Sequence, residues 1–315
     1  MEKTKIIVIC GPTATGKSNL AVDTALKLGG EIINADSMQV YKGMDIACAM
    51  PTEADKKGVP HHLYGYIEPE QSYSVAEWLV QARKTISELS KRGVMPIIVG
   101  GTGLYISSLV DNIIFDEIGE DSDFREKMYN LAATRGNSFL LEKLRSVDPD
   151  EASKLHENNV KRIVRHLEAY EQSSKTARER RENSRLERSR YKTCMLGLNF
   201  ENRVDLYRQI NNRVEKMLLN GLIEEARIAF QAVSKKPTAS QAIGHKELFP
   251  YFKGEEKIET CIENLKMKTR NYAKRQLTWF RKMNCTKWLI MNNDKMYVHI
   301  LDESVAFLDE FYAEK

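Results

Sequence analysis

The sequence lacks the features that mark membrane proteins, disulfide-rich secreted proteins and zinc ribbons. No apolar run approaches the roughly 18–20 residues that a membrane-spanning helix needs. The five cysteines are scattered and form no C-x-x-C pair, which excludes a zinc ribbon or a disulfide scaffold. The N-terminus has no signal-peptide layout. We therefore expect a protein of the reducing cytoplasm without a membrane segment.

Acidic residues are missing from one long stretch of the chain. Residues 264–287 hold eight Lys or Arg and no Asp or Glu, and residues 154–192 hold twelve Lys or Arg against six Asp or Glu. The formal net charge is only +4, so the remainder of the chain is acidic. Two basic segments on an acidic body indicate a polyanionic partner such as nucleic acid. Solvated helix faces are the alternative, and it is weaker for 264–287 because that segment has no counter-charge.

The 315 residues contain no internal repeat and fit an α/β core with an insertion. Short apolar runs at 5–10, 31–35 and 96–99 alternate with helical patterns, which is typical of a doubly wound parallel sheet. From about 121 to 190 the pattern is helical, with little strand signal. We predict a core at 1–115 and 191–315 and a mostly helical insertion domain at 116–190.

A phosphate-binding motif follows the first predicted strand. Residues 11–18 read Gly-Pro-Thr-Ala-Thr-Gly-Lys-Ser and fit the pattern G-x-x-x-x-G-K-[ST]. In such a loop the backbone N–H groups surround phosphate oxygens, Lys17 adds positive charge and Ser18 can bind Mg²⁺. A glycine-rich turn without a ligand is the alternative. The position between a strand and a helix favours a P-loop, which binds a di- or triphosphate that is not necessarily ATP.

Polar residues end the strands beside this loop. The carboxyl ends of parallel strands form the edge where ligands bind, and Asp36 and Thr102 both fall there. Asp36 fits a general base, a group near Mg²⁺ or a plain helix cap. The third predicted strand ends in Gly100 rather than in the Asp of a Walker B motif, which argues against a motor-type ATPase.

An arginine borders the apolar face of a helix predicted near 203–219. At about 100° per residue, Arg213 lies within roughly 60° of Leu206, Ile210 and Met217. Desolvating a guanidinium alone is costly, so Arg213 needs an anionic partner. A buried carboxylate and a bound pyrophosphate both satisfy this requirement.

From about residue 5 to 290 the sequence resembles the tRNA dimethylallyltransferases, also called tRNA isopentenyltransferases. The resemblance rests on the P-loop motif and on seven further segments, which are 36–46, 59–63, 73–76, 99–105, 147–149, 241–247 and 269–281. It implies a P-loop NTPase-like α/β core with a helical insertion that grips the tRNA anticodon stem-loop. It also implies that Mg²⁺ and dimethylallyl diphosphate are used. Nothing in the sequence pattern demands a dimer, so we expect a monomer.

The resemblance implies a reaction and roles for individual residues. The exocyclic amine of the adenosine just 3′ of the anticodon attacks dimethylallyl diphosphate, and pyrophosphate leaves. Asp36 is the implied general base, Thr13 binds the bridging oxygen, and Lys17 and Arg213 stabilise the leaving group. The implied diphosphate site comprises Gly11, Thr13, Ala14, Thr15, Gly16, Lys17, Ser18 and Arg213, with Ser18 as metal ligand. The implied tRNA contacts are Asp36, Ser37, Met38, Gln39, Arg162, Arg165, Gln241, His245 and Lys246.

The chain departs from the family pattern at a few positions. Residues 47–51 read Ala-Cys-Ala-Met-Pro where the family usually has Gly-Thr-Ala-Lys-Pro, so a cation near the active site is lost. Ser174 replaces a usual glycine and His245 a usual tyrosine. The alternatives to a tRNA prenyltransferase are a P-loop kinase of a small metabolite and an RNA-binding relative without catalysis. The basic segments argue against the kinase, and the retention of Asp36 and Arg213 argues against the inactive relative.

Overall fold

The computed structural model describes residues 3–115, 119–184, 189–232, 239, 242–283, 286–292 and 297–313. The chain divides into two compact units. The first consists of Met1–Val110 and Arg190–Lys315, and the second is Asp111–Ser189.

The first unit is built on a six-stranded parallel sheet, which confirms the predicted α/β class. The strands lie side by side in the order β3-β2-β4-β1-β5-β6. The central strand, β1, is buried from Ile6 to Cys10, as expected for a strand covered on both faces. The strands are β1 (Thr4–Cys10), β2 (Gly30–Asn34), β3 (His61–His62), β4 (Met95–Val99), β5 (Tyr191–Phe200) and β6 (Thr286–Met291).

Helices connect and cover these strands. In the first unit they are α1 (Lys17–Leu28), α2 (Glu53–Lys56), α3 (Val75–Lys91) and α4 (Gly103–Val110). In the second unit they are α5 (Ser122–Arg135), α6 (Asn137–Val147), α7 (Pro149–Ala152), α8 (Val160–Ser173) and α9 (Ala177–Ser184). The first unit continues with α10 (Arg203–Leu219), α11 (Leu222–Gln231), α12 (Phe249–Phe252), α13 (Ile258–Phe280) and α14 (Tyr297–Ala313).

The P-loop helix α1 is set between two left-handed glycines. Gly16 has φ +80° at its start and Gly29 has φ +61° at its end, where the Gly29 N–H bonds to the Ala25 carbonyl. Its buried face, with Leu20, packs in the core on one face of the sheet. This packing fixes the start of α1 at the carboxyl end of β1.

Helices α10 and α13 pack against each other beside the sheet. Leu206 and Ile210 of α10 share a cluster with Ala273 of α13. Helix α10 spans the predicted residues 203–219, because its apolar residues recur at helical spacing. Together the two helices present polar side chains to the carboxyl edge of the sheet.

The second unit has a core of its own, formed by apolar side chains from α5, α6 and α8. A buried carboxylate, Glu168, is paired with Arg125 at 2.9 Å. Ser174 caps the C-terminal end of helix α8, and its φ of +52° lies in the left-handed region. Across the described ranges of both units, no helix combines the length and apolar character that a membrane crossing requires.

Candidate active site

A cavity of about 320 Å³ lies in the first unit, where β1, β2 and β4 end. Its wall contains some of the residues predicted for the site and others that were not predicted, whereas Gly11, Ala14, Thr15 and Gly16 of the P-loop do not line it. The predicted residues on its wall are Thr13, Lys17, Ser18, Asp36, Ser37, Met38, Gln39, Arg213 and Lys246. The wall residues not predicted for the site include Ala47, Cys48, Val214, Leu265, Tyr272, Arg275 and Gln276.

The P-loop backbone has the conformation that a phosphate cradle needs. Gly11 has φ +136°, and a Cβ atom there would lie 2.3 Å from the Leu198 carbonyl oxygen on β5. Only glycine fits this close approach. Further along, the Pro12 carbonyl accepts hydrogen bonds from Thr15 Oγ1 at 2.9 Å and from Lys17 Nζ at 2.7 Å. The loop leads into the first turn of α1, whose N–H groups have no partner within the helix and suit an anion.

Lys17, Arg213 and the Asp36 carboxylate influence one another electrostatically in the cavity. Burial, together with the nearby Arg213 guanidinium, lowers the pKa of Lys17 from 10.5 to about 8. Burial also lowers the pKa of Arg213, although the Asp36 carboxylate opposes this shift. The cations are therefore partly desolvated, and a bound anion would gain more from them than from exposed side chains.

Asp36 is held in place by a buried asparagine at the end of β2. The Asn34 Oδ1 atom accepts the Asp36 backbone N–H at 2.9 Å, and its Nδ2 donates to the Asp36 carbonyl at 3.1 Å. One carboxylate oxygen of Asp36 accepts the Met38 N–H at 2.9 Å. The carboxylate thus has a fixed direction on the cavity wall, which a general base requires.

Hydrogen bonds connect the segment after Asp36 to the turn after β4 and to Cys48 and Ala49 on the cavity wall. The Thr102 hydroxyl accepts the Ser37 N–H at 3.0 Å. The Gln39 amide donates to the carbonyls of Cys48 and Ala49 at 2.9 and 3.1 Å. Gln39 therefore has a structural role in this conformation, in addition to its place on the cavity wall.

One side of the cavity is apolar. Val214 and Met217 of α10 and Leu265 of α13 line it. They belong to a cluster that includes Ala47. Burial raises the pKa of the neighbouring Cys48 thiol well above its usual value, so this thiol is neutral. The site therefore combines an anion-binding end with a wall suited to a short hydrocarbon.

His245 lies apart from the cavity wall, unlike Asp36, Ser37, Met38, Gln39 and Lys246. Its side chain is buried, and Nε2 lies 2.7 Å from Glu225 Oε1. The Glu225 carboxylate also accepts the N–H groups of Ile46 and Ala47 at 2.7 and 2.9 Å. Burial raises the pKa of Glu225, but these hydrogen bonds outweigh that effect and lower it. In this conformation His245 does not line the cavity and, through Glu225, supports the 46–47 segment.

The other implied tRNA contacts are Arg162, Arg165, Lys246 and Gln241. Arg162 and Arg165 are exposed on α8 in the second unit. Lys246 is exposed and also lines the cavity. Gln241 lies outside the described residues.

The structure adds two polar residues that the sequence patterns did not single out, Asn34 and Gln276. Asn34 is fully buried and positions Asp36 as described above. Gln276 is 5% exposed and bonds to both the P-loop and the turn after β4. The sequence signal that could have identified both residues is a polar side chain within an otherwise apolar strand or helix face.

Comparisons with known proteins converge on one family. The sequence profile of the family described as IPP transferase matches residues 39–283. The chain is 45% identical over 306 residues to a tRNA dimethylallyltransferase of Thermoanaerobacter sp. (strain X514), covering 96% of this chain and 97% of that relative. It is 43% identical over 304 residues to a tRNA dimethylallyltransferase of Geobacillus thermodenitrificans (strain NG80-2), covering 96% of each.

Solved structures give the same picture. A tRNA isopentenylpyrophosphate transferase from Bacillus halodurans superposes with a TM-score of 0.75 at 37% identity, covering 99% of this chain and 98% of that one. A eukaryotic dimethylallyltransferase acting on tRNA superposes with a TM-score of 0.85 at 28% identity, covering 99% of this chain and 80% of that one.

Proposed function

The chain belongs to the IPP transferase family, and from that membership we propose that it is a tRNA dimethylallyltransferase. In the proposed reaction, the exocyclic amine of the adenosine just 3′ of the anticodon attacks the first carbon of dimethylallyl diphosphate. A C–N bond forms, the bond from that carbon to the bridging oxygen breaks, and pyrophosphate leaves with the electron pair. The observation that carries the proposal is that a P-loop, a carboxylate, an arginine and an apolar wall share one cavity.

The two ends of the cavity match the two parts of the donor. The diphosphate would bind at the P-loop beside Lys17 and Arg213, whose charges suit phosphate oxygens. The five-carbon chain would lie against Val214, Met217 and Leu265. This apolar wall supports a prenyl diphosphate rather than ATP, because the polar ribose of a nucleotide would gain little from these side chains.

Asp36 and Thr13 would act on opposite sides of the reacting carbon. An adenine amine is a weak nucleophile, and its proton must leave as the C–N bond forms. The Asp36 carboxylate would accept that proton, since only one of its oxygens is bonded to the Met38 N–H. The Thr13 hydroxyl would donate to the bridging oxygen of the leaving group. Lys17 and Arg213 would stabilise the negative charge that develops on the departing pyrophosphate.

The donor set of the cavity fits Mg²⁺ bound together with the substrate. The described ranges contain no cluster of three or more His, Cys, Asp or Glu side chains that could hold a metal without substrate. The cavity offers the Ser18 hydroxyl. Mg²⁺ is commonly held by few protein ligands plus substrate phosphates, so Ser18 would hold it beside the diphosphate. When bound, the ion neutralises part of the diphosphate charge.

We propose that the tRNA anticodon stem-loop binds through both neutral and cationic contacts. Ser37 and Lys246 line the cavity, and Arg162 and Arg165 offer exposed charges on α8. The target adenosine must leave its base stack to bring its amine to Asp36, so the enzyme would flip it. The basic segments 154–192 and 264–287 would supply contacts to the phosphate backbone.

The test is a prenyl-transfer assay with an anticodon stem-loop. The protein is incubated with dimethylallyl diphosphate, Mg²⁺ and an RNA that carries adenosine just 3′ of its anticodon. We expect the RNA to gain one C5H8 unit by mass spectrometry. A matched RNA with guanosine at that position should show no gain. The Asp36→Asn variant serves as a second control and should add the C5H8 unit at least about 100-fold more slowly than the wild type.

The other outcomes distinguish the alternatives. Tight RNA binding without a mass gain would identify an RNA-binding relative without catalysis. ATP turnover with a small metabolite, and no RNA binding, would identify a kinase. Either result would overturn the proposal.

A further inference from the structure

Gln276 connects helix α13, which carries most of the basic segment 264–287, to the P-loop. It lies on α13, 263 residues away from Thr13 in the sequence. Its Oε1 atom accepts the Thr13 backbone N–H at 2.8 Å, and its Nε2 atom donates to the Gly101 carbonyl at 3.0 Å. Because the side chain is 5% exposed, water competes little for these hydrogen bonds.

The peptide group between Pro12 and Thr13 is held at both ends. Its carbonyl accepts Lys17 Nζ and Thr15 Oγ1, and its N–H donates to Gln276. A peptide group is planar, so fixing its two polar ends fixes its rotation about the chain. This N–H is therefore committed to Gln276 rather than to a phosphate, and the position of the Thr13 side chain follows from the same plane.

The turn after β4 is shaped to accept this amide. A Cβ atom at Gly101 would lie 2.1 Å from Gln276 Nε2, so only glycine admits the side chain there. The Gln276 amide accepts a hydrogen bond from Thr13 through its oxygen and donates one to Gly101 through its nitrogen. A glutamate would keep the acceptor for Thr13 but would place a second acceptor against the Gly101 carbonyl.

We propose that Gln276 is a positioning residue that aims the Thr13 hydroxyl at the bridging oxygen of the prenyl diphosphate. This inference rests on the proposed function. Removing the amide would leave the Thr13 N–H without its partner, and the peptide could rotate toward the phosphates. The diphosphate would still bind, but the leaving oxygen would lose an aligned donor. A misalignment of about 1 Å can cost about 100-fold in rate.

The experiment compares Gln276→Met, which keeps the side-chain length without the hydrogen bonds, with the wild type and Thr13→Ala. We expect Gln276→Met to lower kcat about 10- to 100-fold, with KM for dimethylallyl diphosphate and Kd for the RNA changed by less than about threefold. The control Thr260→Ala, at an exposed position of the same helix outside the segment 264–287, should leave kcat, KM and Kd unchanged.

A double variant separates positioning from general support of the fold. If Gln276 acts through Thr13, adding Gln276→Met to Thr13→Ala should lower kcat less than twofold further. Multiplicative losses, or unchanged kcat in Gln276→Met, would overturn the inference. Should Gln276→Met fail to fold, Gln276→Leu, which also lacks both hydrogen bonds, provides the same comparison, with kcat again falling more than KM rises. A wild type that transfers no prenyl group would overturn the proposed function itself, and the wild-type control reports that separately.

Discussion

Donor binding should weaken as pH rises through 8, because Lys17 loses its charge there. In the free protein the pKa of Lys17 is lowered from 10.5 to about 8 by burial and by Arg213. A lysine with a lowered pKa is protonated below that value and neutral above it. The protonated form binds the diphosphate, so affinity follows its population.

The expected change in the Kd for dimethylallyl diphosphate follows from this pKa. The protonated fraction of Lys17 falls from about 0.9 at pH 7 to about 0.1 at pH 9. We therefore expect the Kd for dimethylallyl diphosphate to rise about tenfold over this interval. With the ordinary value of 10.5 the protonated fraction would change by only a few per cent. Binding should also take up about 0.9 proton at pH 9 and about 0.1 at pH 7.

Isothermal titration calorimetry without RNA measures both quantities, since buffers of different ionisation enthalpy report the proton uptake. The control is Lys17→Arg, which stays charged throughout and should show a nearly constant Kd. A Kd that is flat in the wild type, or one that rises equally in Lys17→Arg, would refute the assignment of this titration to Lys17.

Three further predictions concern the base, the RNA and the second unit. Asp36→Asn should lower kcat about 10²- to 10⁴-fold with RNA affinity changed less than about twofold, measured by single-turnover kinetics and filter binding; equal losses in both would remove its role as a base. Replacing Arg162 or Arg165 with Ala should reduce the slope of log Kd against log salt by about 0.7–0.9 each, and an unchanged slope would place the RNA elsewhere. Ser174→Gly should raise the free energy of unfolding by about 0.5–1 kcal/mol in urea titrations, because Ser174 has φ +52° at a helix end; a loss of stability would contradict this.

Local sequence patterns were sufficient to predict several helices and strands of the core. Helix α10 spans the predicted 203–219, and the apolar run at 5–10 lies within β1. Apolar periodicity is a local property, so it survives in the sequence. The same periodicity placed Arg213 at the edge of an apolar face, and the structure has it half-buried on the cavity wall. Its role in binding the diphosphate stays a prediction.

Other features depend on distant partners and left little local signal. Strand β3 contains only two residues, too few for a periodic pattern. Gln276 is one polar residue within a helix, and its role depends on hydrogen bonds to Thr13 and Gly101 in other parts of the fold. His245 lies within a segment that resembles the family, yet its ring is turned to Glu225. Such pairings depend on the packed chain rather than on spacing.

The position of β1 between β4 and β5 has a consequence for biosynthesis. Strand β1 pairs with β5 over seven register positions, from Thr4 with Tyr191 to Cys10 with Gly197. At about 5–20 residues per second, a ribosome needs roughly 10–40 s to make the chain between these strands. Throughout that interval one edge of an apolar strand has no partner, and such edges are prone to aggregation. The phosphate-binding motif is thus among the first parts of the core to be translated and among the last to be completed.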